Sequence, residues 1–334
     1  MPRTTTKVWN IHPKEFPERG GRAEQIRFVL RYALLAPSTR NTQPWLFESD
    51  AGRVRLYADF SRWQSVADAD QRELYVSLGC ALENLLIASE QFELGHTVKW
   101  FPPSPTGNLV AEINYVDKFR ADPSRPVRLF EAITRRRTDH GVYDERPVSD
   151  TILKQIRSVS AYKDVSLLLS RDAEIRDAID KLLLRADALA FANPDWRAEL
   201  AECVGSGGFG TPWLLSMLGQ FAIAHLNVGP QVAKHDHKSL MSTSVFGMIG
   251  TRGSGPQAWV HAGQVLERAW LMATSHGLVL QPINQLLQTE PTREACVKLF
   301  RAGGAPIVPF RLGYPRDKVP PTGRFELSDV MMDE

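Results

Sequence analysis

Apolar residues recur at helical spacing at Ile26, Val29, Leu30 and Ala33, and the run stops at Pro37, whose ring disfavours helix in the residue before it. The spacing predicts a helix over 23–36 and then a loop. Val54, Leu56 and Tyr57 predict a short strand. Tyr75, Leu78, Leu82, Leu85, Leu86 and Ser89 trace one face of a long core helix, which Gly95 would cap. Alternation predicts strands at 97–101 and 108–116, and KFRADPSRP, 118–126, reads as a linker.

Patterning restarts after that linker. RLFEAITRRRT predicts a helix, and a further helix opens near Ser149 or Asp150, either of which suits an N-cap. VSLLLS at 165–170 reads as a strand and 173–189 as a helix, broken by VGSGGFGTPW at 204–213. The polar, aperiodic 227–241 reads as a surface loop or lid. A strand at 244–250, a long helix ending near Gly277, a loop LQPINQ, a helix from Thr292 and a strand PIVPFRLGY complete the chain. GCALENLLIASEQFELG at 79–95 parallels GQVLERAWLMATSHG at 263–277, and the strand at 109–115 is similar in kind to that at 244–250. Two related units, 1–125 and 126–334, are the expectation, with a lid-like segment near 200–260.

Composition narrows the classes of function. With 40 basic and 38 acidic residues, the net charge is +2 over 334 residues, so no overall field favours nucleic acid or a membrane surface. Any anion must be held locally. The three cysteines, Cys80, Cys203 and Cys296, show no CxxC spacing, which fits a reducing cytoplasm rather than a disulfide or zinc framework. The N-terminal stretch has no apolar core of signal-peptide length, and no apolar run is long enough to span a bilayer, so the expectation is a cytoplasmic protein.

Three stretches carry candidate chemistry. In ITRRRTDHGVY, Arg136, Thr138 and His140 alternate as a helical pattern ends, so extended backbone would aim them one way, as a clamp for a phosphate or as a solvated helix end. In VPPTGRFELSDV, a Pro-Pro-Thr-Gly turn would fix the direction of Arg324. In LLAPSTRNTQPWLF, Ser38, Thr39, Asn41 and Gln43 could satisfy a heterocycle rich in donors and acceptors, or close a helix end. Other matches lead nowhere: GSGGFG lacks the strand and distant acid of a dinucleotide site, and His235 with His237 lacks a third ligand.

Together these motifs resemble the nitroreductase family of flavin proteins. Arg136, Thr138 and His140 match its Arg-x-Ser/Thr-x-basic motif; Pro37, Ser38, Asn41, Gln43, Pro44 and Trp45 match its Pro-Ser-x-x-Asn-x-Gln-Pro-Trp loop; and Arg324 matches its C-terminal basic residue. Gly277, Leu278 and Pro282 and the strand RLGY extend the likeness along the chain. The loop lies in the first half and the phosphate motif in the second, an order similar to the long mycobacterial branch called Acg, where one chain mimics the family homodimer. The resemblance implies an α+β three-layer sandwich, internally duplicated, with one intact flavin site and a degenerate counterpart. It implies FMN held by Arg136, Thr138, His140 and Arg324, bordered by Pro37, Ser38, Thr39, Asn41 and Gln43, with amides around Gln281, Pro282 and Ile283 facing the ring. His140 replaces the usual fixed cation, so its charge is expected to follow pH. The implied partners are NAD(P)H and a small electron acceptor, the chain being a pseudo-dimeric monomer or weak homo-oligomer. An FMN-storing protein with an occluded flavin is the alternative.

Overall fold

The computed structural model describes residues 4–160, 162–205, 213–226, 228–300 and 304–332. Along the chain run α1 (Arg22–Ala33), β1 (Trp45–Ser49), β2 (Arg53–Ala58), α2 (Arg72–Gln91), β3 (His96–Trp100), β4 (Leu109–Tyr115), α3 (Arg128–Ile133), β5 (Tyr143–Asp144), α4 (Asp150–Ser158) and β6 (Val165–Ser170). There follow α5 (Ala173–Ala192), α6 (Pro194–Gly205), α7 (Trp213–His225), α8 (Gly229–Met241), β7 (Val245–Thr251), α9 (Pro256–Ser275), β8 (Val279–Pro282), α10 (Glu290–Phe300) and β9 (Ala305–Pro315). Among the described residues no helix is long and apolar enough to cross a membrane.

The fold is α+β and duplicated. The first sheet has the order β1-β2-β4-β3, all antiparallel, and the second repeats it as β6-β7-β9-β8, with β5 added at the end of β9. Helix α2 stands before β3 as α9 stands before β8, so β4 corresponds to β9 and β2 to β7. The expected likeness of 109–115 to 244–250 is therefore corrected; length and alternation do not distinguish strands that differ only in their place after the central helix. One core runs from Phe47, Leu56 and Ile113 of the first sheet through Leu82 and Leu266 to Ile249, Val308 and Phe310 of the second, giving three layers.

The middle layer is organised by two glycines. A Cβ on Gly79 would run into the Val260 carbonyl oxygen, and one on Gly263 into that of Val76; each would also lie 3.0 Å from the other glycine's Cα. The contact is reciprocal, as a twofold axis between α2 and α9 demands. Such close backbones explain why both helices are buried almost all round, apolar and polar residues alike. The start of α2 is secured by Asp68, whose carboxylate accepts from the Glu73 and Leu74 amides at 2.8 and 2.9 Å.

Four readings of the sequence pattern are also corrected. WLFES, with no strand expected, forms β1, because Trp45 and Phe47 alternate into the core. Residues 280–282 of the expected loop LQPINQ belong to β8, which pairs with 310–313 of β9. Residues 227–241, expected as loop, contain α8: Pro230 starts it, Ser239 and Leu240 are buried, and His237 Nδ1 lies 2.8 Å from Asp180 Oδ1 of α5. The inserted helices span 173–241 rather than 200–260, since β7 and α9 belong to the duplicated core. Most of GSGGFG, 206–210, lies outside the described residues.

One turn beyond each glycine stands a buried glutamate, Glu83 or Glu267. Glu83 is saturated: Arg125 Nε and Arg268 Nε donate at 2.7 and 2.6 Å, and Gln264 Nε2 at 2.8 Å. Burial alone would raise its pKa, but the two guanidiniums overcome that and hold it at about 2. Gly79→Ala should cost roughly 2–3 kcal/mol by forcing α2 from α9, read by denaturant unfolding. Glu83→Gln should cost roughly 3–5 kcal/mol at neutral pH by stranding two buried cations. Because the folded pKa of Glu83 is depressed, its contribution is present above the ordinary value of 4.5 and fades as pH falls towards about 2, so the variant should show a shallower loss of stability across that window.

Candidate functional site

The second glutamate has a different environment. Glu267 is fully buried, neither carboxylate oxygen has a hydrogen-bond partner, and its nearest cation, Arg136 Nε, is 3.7 Å away. That separation allows attraction but is too long for a hydrogen bond. Burial pushes Glu267 up to about 7 against the pull of Arg136. Arg136 leaves the end of α3 to donate Nη2 to the Leu35 carbonyl at 3.1 Å, under the face of Trp270 at 4.6 Å. Its Nε and Nη1 are buried without partners.

Two more guanidiniums join it. Arg137, Arg324 and Arg136 lie 4.4, 5.1 and 6.0 Å from the ring of Trp9. Arg324 Nη1 donates to Thr322 Oγ1 at 2.6 Å, while its Nε is buried and unpartnered. Burial, then the neighbouring Arg136 and Arg137, pull Arg324 well below its ordinary pKa. Guanidinium groups stay charged in proteins and can only donate, so this cluster holds unspent donors that an oxyanion would satisfy.

The 37–43 loop packs against the same cluster. It breaks from the helix through left-handed backbone at Arg40, Asn41 and Gln43 (φ 48°, 58° and 52°), which non-glycine residues rarely adopt. Asn41 Nδ2 donates to the Gly323 carbonyl at 3.0 Å and the Phe325 amide donates to Gln43 Oε1 at 2.9 Å, bracketing Arg324. Ser38 Oγ accepts from the Gln43 amide at 2.8 Å, and Thr39 Oγ1 donates to Glu73 at 2.9 Å. The expected polar set is thus assembled, but three of the four hold the loop itself. Asn41 keeps a buried, unpartnered Oδ1.

A third strip runs past β8. Thr138 pairs in parallel with Leu280, which brings His140 to Gln281. Arg311 Nε donates to Gln281 Oε1 at 2.5 Å, so the amide turns Nε2 towards His140 Nδ1, 2.8 Å away, and that ring nitrogen must accept. A ring accepting at Nδ1 is neutral. Crowding by the surrounding protein, then the charges of Arg311 and His235, lower its pKa, while the side chain keeps an exposed face. Where the sequence led to an expectation of a charge that follows pH near neutrality, this hydrogen bond favours the neutral ring. The Ile283 amide, expected to face a ring, donates to the Pro309 carbonyl at 2.8 Å. Pro282 sits half-buried in β8 beside Phe310 of β9.

The structure thus brings Arg136, Arg324, Asn41 and the Leu35 carbonyl together, with Thr138, His140 and Gln281 on the adjoining strip. Sequence patterning missed Trp9, Arg137 and Glu267. Arg137 was hidden in a basic run, while the shared Leu-Glu pair at 82–83 and 266–267 was a readable signal for Glu267.

No protein-family model matches the chain. A Mycobacterium tuberculosis protein, Rv3131, whose name assigns it provisionally to the NAD(P)H nitroreductases, is 28% identical over 321 residues, covering 92% of this chain and 91% of its own. Over nine-tenths of its length the chain is thus similar to a protein named for the nitroreductases. The similarity to Acg of the same organism, provisionally named likewise, is 23% over 303 residues, 89% of this chain and 91% of that one, which supports the long branch. A solved FMN-dependent nitroreductase, NfnB of Mycobacterium smegmatis with NADPH, aligns over 62% of this chain and 98% of that one at 13% identity and TM-score 0.41, too loose a superposition to argue from.

The His140 tautomer is measurable. Imidazole nitrogen shifts should report a neutral, Nε2-protonated ring from alkaline pH through the ordinary value of 6.5, with protonation only near 4. Since the folded pKa is lowered, stability should decline as pH falls between those two values. A ring that charges near 6.5 would sink this assignment.

Proposed function

We propose that this chain is an FMN-dependent oxidoreductase of the nitroreductase family that uses NAD(P)H to reduce electron-poor small molecules. The observation that supports it is the contrast between pseudo-symmetric glutamates. Glu83 is neutralised by two close guanidiniums, whereas beside Glu267 the guanidiniums of Arg136 and Arg324 keep buried donors unspent. A phosphate dianion matches that donor set and would leave none of those groups stranded.

In this reading Arg136, Arg324 and the Thr138 hydroxyl hold the phosphate, with Arg137 adding charge from the face of Trp9. Asn41 Oδ1 offers an acceptor from the loop, and Pro37, Ser38, Thr39 and Gln43 keep that loop in place. The 281–283 strip, steadied by Arg311 through Gln281, borders the opposite side with the neutral His140. FMN would supply hydride acceptance from NAD(P)H and delivery to an acceptor, by the alternating use of one site. The chain itself orients the reactants and excludes water, and needs no acid-base residue for that.

A second reading, FMN sequestration, draws on a specific observation. Helix α6 is latched onto the first half, where Glu199 accepts from the Val66 and Ala67 amides at 2.9 and 3.0 Å and pairs with Arg40 at 3.1 Å. Arg136 and Arg324 are only 1% and 3% exposed beneath their neighbours. Anaerobic addition of NADH or NADPH to the FMN-loaded protein separates the two: the flavin absorbance should bleach, and retention of oxidised, bound FMN would favour sequestration. Arg136→Ala and Arg324→Ala should each weaken FMN binding about 10- to 100-fold, the effect of losing a charged hydrogen bond. Unchanged affinity in an equilibrium titration would overturn the phosphate assignment.

A further inference from the structure

The inserted helices border a second site, open to solvent on one side and separate from the guanidinium cluster. Between α5 and α8 lies a cavity of about 440 Å³, lined by Leu184, Asp187, Ala188, Phe191, Pro230 and Ala233. That volume is within the range of small-molecule pockets. Its wall is apolar except for two charged residues. Arg197 holds its Nη1 at 2.6 Å against the Phe191 carbonyl. Asp187 is 3% exposed, and its Oδ2 is buried with no hydrogen-bond partner. Among the described residues no cation forms an ion pair with Asp187, although the protein pairs Asp180, two turns earlier on α5, with His237.

An unpaired carboxylate in an apolar wall costs stability unless something satisfies it. We infer that the α5–α8 cavity binds a small apolar monocation, a protonated amine carrying a hydrophobic body, with Asp187 as the counter-charge for its ammonium group. The body would pack on Leu184, Phe191 and Pro230. A neutral or anionic ligand of the same shape would leave Asp187 as stranded as before, so charge provides the selectivity.

The surroundings of Asp187 set how binding follows pH. Burial, then the nearby Asp236 of α8, raise Asp187 to about 7. Asp236 is itself raised by burial, with His235 and Arg311 pulling it down. Arg197 stands at the wall, the Asp180–His237 pair lies two turns earlier on α5, and Lys181, Arg185, Lys234 and Lys238 are further charged groups on the two helices. Below about 7 the empty site holds a proton; a bound ammonium displaces it. Affinity for the amine should therefore rise as pH increases through that value, while the affinity of a neutral isostere stays level.

This inference does not depend on the flavin reading, and calorimetric titration of the full-length protein tests it without an activity assay. The probes are 2-phenylethylammonium and its neutral isostere 2-phenylethanol at mildly alkaline pH, where the carboxylate is charged. The amine should bind at least ~10-fold more tightly than the alcohol. Asp187→Asn should remove that preference with no fall in melting temperature, since the carboxylate has no partner to lose. Ala233→Phe, which projects a ring into the cavity and keeps Asp187, should weaken binding of both probes at least ~10-fold. Equal binding of the two probes, absence of saturable amine binding, full amine affinity in Asp187→Asn or full affinity in Ala233→Phe would each overturn the proposal.

Discussion

The close crossing of α2 and α9 at Gly79 and Gly263 is the constraint on which the rest depends. Two helices whose backbones touch leave no room for water, so whatever stands one turn along on the same face is desolvated. On both helices that residue is a glutamate. The fold thereby places two carboxylates in a dry interior, and every charged contact around them answers the need to compensate them.

The two answers divide the molecule by role. Around Glu83 the compensation is complete within the chain, through Arg125 from the segment joining the halves and Arg268 from α9. The result is a rigid seam. Beyond it, Tyr162 stacks on His261 with ring centroids 4.1 Å apart and donates to Gln264 Oε1 at 2.7 Å, which closes that side further. Around Glu267 the cations are more numerous than the carboxylate can use, and three of them gather at Trp9. Mutually repelling guanidiniums kept in a dry place are held apart by the aromatic faces of Trp9 and Trp270. Such a cluster is stable only because the surrounding frame is already fixed.

What the sequence made legible follows from the range of each interaction. The 37–43 loop could be read because Pro37 and the small polar residues act on their own backbone. The two long helices could be read because burial on all sides leaves a dense apolar record, and their shared Gly and Leu-Glu positions betrayed the repeat. Trp9 could not be read as a platform, since its partners Arg136 and Arg324 come from distant segments and no local period marks the contact. His140 looked like a titrating group because its neutrality comes from Arg311, a strand away, acting through Gln281. β8 escaped notice because a strand of four residues has too short an alternation to register, and α8 because its composition is polar and its anchors, Pro230 and Asp180, include one from another helix.

The first sheet joins β1 to β2 by a tight turn at 50–52, whereas the equivalent connection from β6 to β7 carries four helices. In an assembly of two identical subunits, a single inserted stretch of gene would appear on both sides of the axis, and each copy would have to find space beside its twin. Joining the halves into one polypeptide removes that obligation. A change written once is expressed once, so one half is free to acquire a cover and a pocket while the other keeps the plain hairpin that holds the pair in register.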